Sequence, residues 1–134
     1  MSDVLELALA AFASLRTPSR ITAALRQGGL TALEREYAHL EPDVRNDVNS
    51  KAHEMRQDGV GVVVFTASDF PSSLVVDQRP VAPIIFYRGN KDLLYRDGIG
   101  MCGSRHVSAR GLDAASRCGS LATQKGLTLS LIHI

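Results

Sequence analysis

The chain has 134 residues, 45% of them hydrophobic and 22% charged. That is enough for one ordinary core, or for a small domain plus part of another, and too apolar for a disordered segment. The formal net charge of +1 gives no general argument for a polyanion or a membrane surface, and no run approaches the roughly 18 to 20 apolar residues that a membrane span needs.

The opening Met1-Ser2-Asp3 is acidic and lacks the basic start of a signal peptide, so the expected compartment is cytoplasmic. Two cysteines, Cys102 and Cys118, have no metal-ligand spacing and read as small core residues in a reducing environment. Charge is distributed unevenly. Residues 1–57 carry seven Lys/Arg and eight Asp/Glu, residues 58–87 one and three, and residues 88–134 seven and three, a local excess of +4.

Val4 to Leu15 is rich in helix formers, and Leu5, Ala8, Phe12 and Leu15 form an apolar stripe at helical spacing. Thr17-Pro18 caps and opens a second helix, with Ile21, Ala24 and Leu25 inward, which Gly28-Gly29 ends. Leu30 to Leu40, with Leu33, Tyr37 and Leu40 on one face, is a third. Pro42 to Gln57, with Val44, Val48, Ala52 and Met55 on one face, is a fourth, stopped by Asp58-Gly59. Residues 1–57 are therefore expected to form a compact helical domain. His39 and His53 lie on these helices without partners at metal-ligand spacing and read as surface histidines. Gly28-Gly29 between short helices also has the form of a hairpin that grips phosphates through its backbone, although a plain helix stop is the commoner meaning.

At Val60 the periodicity changes. Val60 to Phe65 is β-branched and continuous, and Ile84 to Tyr87 forms a second strand between Pro83 and Gly89. Lys91 to Leu94 reads as one helical turn. Ile99 to Cys102, short and apolar after the turn Asp97-Gly98, suits a buried strand of a parallel sheet. A helix from about Ser108 to Gln124 follows, with a stripe of Leu112, Ala115, Gly119 and Ala122 for packing on a sheet, and Gly126 ends it before a last strand from Leu127. The fold expected is α/β: a small N-terminal helical domain, residues 1–57, then a truncated Rossmann-like parallel-sheet domain, residues 58–134.

Between that strand and helix the residue types favour an anion. Gly103 lets a ligand approach the backbone, Ser104 offers a hydroxyl, and Arg105 offers a planar fork of donors matched to phosphate or carboxylate. Ser108 is a natural N-cap for a helix whose N–H groups and dipole face the same spot. A tight strand-to-helix turn with a solvated arginine accounts for the same pattern, and the motif is neither a dinucleotide fingerprint nor a Lys-containing phosphate loop.

Ser68-Asp69-Phe70-Pro71-Ser72-Ser73-Leu74, then Pro83-Ile84-Ile85-Phe86-Tyr87-Arg88-Gly89 with Leu93-Leu94, then Gly103-Ser104-Arg105 with Ser108 and Gly111, follow a small helical domain. In that order and spacing they resemble the N-terminal part of the DNA-processing protein A family (DprA, also called Smf), over about residues 5–128. The resemblance implies a helical module of sterile-alpha-motif or helix-hairpin-helix type and an extended Rossmann-like domain that binds single-stranded DNA in a basic pocket. It implies a homodimer that helps load the strand-exchange recombinase in natural transformation, with no enzymatic activity and no cofactor. By position, Gly103, Ser104 and Arg105 match the family's phosphate-contacting turn and Gly111 the glycine at its helix start. Arg110 replaces the aromatic residue common before that glycine, and adds charge there.

A Rossmann-like nucleotide enzyme, such as a phosphoribohydrolase, is the alternative, but no Ser/His/Asp, Cys/His or paired-carboxylate arrangement supports it. The family pattern continues past Gly126 with further strands and a second Gly-rich turn, so the sequence reads as cut short and is expected to leave a sheet edge unpaired. Leu129-Ser130-Leu131-Ile132-His133-Ile134 can be encoded by CTGTCTCTTATACACATC, a transposase mosaic end used to prepare sequencing libraries. These residues are expected to be adapter read-through, which resequencing of the source locus checks, and His133 is given no functional weight.

Overall fold

The computed structural model describes residues 2–132. The chain forms two compact units, Met1–Lys91 and Asp92–Ile134.

In the first unit, α1 (Val4–Leu15) opens on a capping box: the Asp3 carboxylate accepts from the Leu5 N–H, and Glu6 reaches back to accept from the Asp3 N–H. Arg56, near the end of α3 (Pro42–Gln57), pairs with both carboxylates at 3.1 Å and ties the two helix ends together. α1 is buried over a wider arc than its stripe indicates, through Leu5, Leu7, Ala8, Ala10 and Ala11. Phe12 is partly exposed, with its ring 6.1 Å from that of Phe86.

The second and third predicted helices are one element, α2 (Pro18–His39), capped by the Thr17 hydroxyl with Pro18 in its first turn. Gly28-Gly29 is a kink rather than a stop. Gly29 adopts φ 56° and ψ −144°, conformational space essentially open to glycine alone, and the helix resumes at once. Arg45 closes the far end of α2: it donates to the Ala38 and Leu40 carbonyls at 2.7 and 3.0 Å and lies over the Tyr37 ring.

β1 (Val60–Val64) and β4 (Ile84–Arg88) are the two predicted strands, but they pair antiparallel, Val62 opposite Phe86. The expectation of a parallel sheet does not hold for this pair. A parallel connection needs a crossover, usually helical, whereas residues 65–83 contain only a 3-10 turn at Ser72–Leu74 and the small hairpin β2 (Val75–Val76) and β3 (Arg79–Pro80). One core runs through this unit, with Leu7, Ala8, Ala11, Ile21, Leu25 and Leu33 of the helices packed with Val64 and Ile84 of the strands. His39 and His53 are exposed.

In the second unit, β5 (Gly98–Cys102), α4 (Ala109–Gln124) and β6 (Thr128–Ile132) form a strand-helix-strand unit whose strands are parallel, Gly98 opposite Thr128 and Cys102 opposite Ile132. Lys91–Tyr95 is a 3-10 turn leading into it. α4 ends in a Schellman motif, the Gly126 and Leu127 N–H groups donating to the Thr123 and Ala122 carbonyls.

The order of elements is as expected; the burial is not. β5 is exposed at every position except the half-buried Met101. Of the α4 stripe only Ala122 is buried and Gly119 half-buried, while Leu112 is 63% exposed. Cys102 and Cys118 are exposed free thiols rather than core residues. The reason is the same for all: a two-stranded sheet with one helix offers too little surface, among the described residues, to cover a strand on both faces. Of the six residues expected to be read-through, His133 and Ile134 lie outside the described residues, and the preceding ones belong to β6.

Candidate nucleic-acid interface

The turn joining β5 to α4 lies at the C-terminal end of a parallel strand, the end at which α/β sheets present ligands. An added Cβ at Gly103 would meet nothing within 4 Å, so the backbone there is open on its outer side. The Ser104 hydroxyl oxygen accepts from the His106 N–H at 3.1 Å, an ST-turn that bends the chain and leaves the O–H able to donate outward. Arg105 and His106 are exposed on this bend.

Ser108 is the N-cap, as its position predicts. Its hydroxyl oxygen accepts from the Gly111 N–H at 3.1 Å, and its carbonyl from the Leu112 N–H at 2.9 Å. Two first-turn donors, the Ala109 and Arg110 N–H groups, have no partner among the described residues, and the positive end of the helix dipole adds to them. Arg110 is exposed on that turn. Gly111 has a steric role: a methyl there would come 2.8 Å from Cγ2 of Val107, the residue that leads the turn into the helix.

Gly103, Ser104, Arg105, Ser108, Arg110 and Gly111 thus occupy one continuous bend and helix start. All of them are exposed except the half-buried Gly111. Arg105, Arg110 and two backbone N–H groups can hold a phosphate or carboxylate by charge-assisted hydrogen bonds. His106 belongs to the same bend. Its signal in the sequence is the Ser104 hydroxyl two residues ahead, the spacing of an ST-turn.

The basic excess of residues 88–134 is partly spent. Arg88 pairs with Asp58 at 3.5 Å, Lys91 with Asp69 at 2.7 Å, and Arg117 with Asp113 at 3.0 Å. The second unit itself carries five Lys/Arg against three Asp/Glu. Attraction at the turn is therefore local rather than a field of the whole molecule. Among the described residues no three His, Cys, Asp or Glu side chains gather as a metal site, and no helix is long and apolar enough to cross a membrane.

A family model described as DNA recombination-mediator protein A matches residues 61–130, just over half of the chain. The chain belongs to this family. The match spans β1 through the start of β6, and so contains the whole of the β5–α4 turn. Comparison with curated proteins and with solved structures returned no match. Membership in the DNA recombination-mediator protein A family places the protein in DNA recombination.

Proposed function

We propose that the protein binds single-stranded DNA through the β5–α4 turn and serves recombination by delivering the strand to the strand-exchange recombinase. The observation that carries the proposal is the presence, on one bend and helix start at the C-terminal end of β5 and inside the family match, of the exposed Arg105 and Arg110 together with the unpaired Ala109 and Arg110 N–H groups. Each part favours a phosphate oxygen, so in this reading affinity depends little on base sequence and falls with salt.

In this reading β5–α4–β6 is part of a Rossmann-like sheet and residues 1–57 form a sterile-alpha-motif-like module. The protein acts in the cytoplasm as a homodimer without catalytic turnover. The preference for single strands and the recombinase partner rest on the family resemblance.

Fluorescence anisotropy with labelled single-stranded and duplex oligonucleotides tests this. Single strands bind more tightly, and the affinity drops steeply between low and moderate salt. Arg105→Ala weakens binding about tenfold, or about 1.4 kcal/mol; an unchanged affinity for that variant sinks the assignment of the turn.

A further inference from the structure

The first unit carries a cationic groove of about 340 Å³ between the start of α2 and the β2–β3 hairpin, lined by Ser19, Thr22, Arg26, Arg79, Pro80 and Val81 among others, none of them acidic. Two arginines line one cavity, Arg26 with its side chain held and Arg79 placed by the backbone of the hairpin. Arg26 donates from Nη2 to the Gln78 carbonyl at 2.6 Å and lies 5.9 Å over the Phe65 ring, which spends one of its five donors and fixes the plane of the rest. The carbonyl it holds belongs to a two-residue hairpin turn with positive φ at both Asp77 (49°) and Gln78 (64°), the tight geometry that sets Arg79 opposite Val76. Arg79 itself makes no side-chain hydrogen bond or ion pair among the described residues.

The remaining wall adds donors and an apolar floor. Pro18 has no N–H, and the Arg20 and Ile21 N–H groups are taken by Thr17, so Ser19 keeps the unpaired first-turn N–H as well as its hydroxyl. Pro80 and the 68%-exposed Val81 supply a surface against which a sugar or base can lie. A carboxylate-free cavity with two guanidiniums, one oriented and one uncommitted, a hydroxyl and an apolar strip matches a phosphodiester with its sugar better than a metal or a cationic ligand.

We infer that this groove is a second phosphodiester contact for single-stranded DNA, separate from the β5–α4 turn and supplied by the first unit. It rests on the reading that the chain binds single strands. Arg79 is the residue to change, because Arg26 also holds the hairpin.

The test is an anisotropy titration of the full chain with a labelled oligothymidylate across a salt series, for the unchanged protein, Arg79→Gln, Arg79→Lys, Arg105→Ala and the double variant Arg79→Gln/Arg105→Ala, with the thermal midpoint of each variant measured alongside. Arg79→Gln is expected to weaken binding about fivefold and to lower the salt slope by about one, Arg79→Lys to keep most of the affinity, and Arg79→Gln and Arg105→Ala to combine additively. If Arg79→Gln binds and responds to salt as the unchanged protein does while Arg105→Ala weakens, the groove proposal fails and the turn stands. A chain that binds no oligothymidylate at all overturns the reading of the turn as well. Inorganic phosphate followed by amide chemical shifts is the second arm: shifts at Ser19 and Arg79 without any effect of Arg79→Gln on oligothymidylate mark a small-anion site and overturn the proposal.

Discussion

Gly98 shows how one missing side chain permits a sheet. A Cβ at that position would come 2.8 Å from the backbone oxygen of Thr128, the residue directly opposite in the parallel register. Backbone oxygen in a hydrogen-bonded ladder cannot move aside as a side-chain tip can, so Gly98→Ala pushes β5 away from β6. The expected cost is about 1–3 kcal/mol, read as faster amide hydrogen exchange over residues 98–102. Protection unchanged from the parent protein would show that the strands tolerate the added methyl. In the sequence, Asp97-Gly98 signals a turn, but Gly98 is the first residue of β5 instead, and that the glycine admits a neighbouring strand depends on a residue thirty positions later. Ser108 is the opposite case. Its role as N-cap needs only the residues beside it, and the structure places its hydroxyl on Gly111 N–H as that local logic requires.

Among the elements, α2 is the one whose boundary logic is subtlest. Two adjacent glycines read as a stop, since glycine commonly follows the last turn of a helix. Here the buried residues on both sides, Ile21 and Leu25 before and Leu33 after, belong to one core, and burying them all favours continuation past the break. Gly29 absorbs the change of direction at φ 56°, ψ −144°. Gly29→Ala is accordingly expected to destabilise the protein by about 1–3 kcal/mol, seen as a lower midpoint in denaturant, while Gly28→Ala, at a position of ordinary helical backbone, has a smaller effect. Equal midpoints for the two variants would show that Gly29 stores no conformational demand. α4 differs: its capping and its ends follow the sequence closely, yet its apolar stripe is largely exposed, because periodicity says which residues share a face and not whether anything covers that face.

Across the molecule, burial is concentrated in the first unit, where residues of α1, α2, β1 and β4 share one core. Leu25, 1% exposed at its centre, reports on that sharing. Leu25→Ala is expected to cost about 2–5 kcal/mol and to raise amide exchange in α1, α2, β1 and β4 together; a loss confined to α2 would mean that the helices and strands fold as separate pieces. The sequence by itself determined α1, α3 and α4, the strands β1, β4, β5 and β6, the Thr17 and Ser108 caps, and a Gly-Ser-Arg bend ahead of a capped helix, because each follows from residues within a turn or two of one another. Tertiary structure alone decided the antiparallel pairing of β1 with β4, the exposure of β5 and both cysteines, and the placing of Arg26 beside Arg79. Those outcomes depend on which distant surfaces meet, and pairing direction, burial and the convergence of charges from separate elements are properties of contacts that no local pattern encodes.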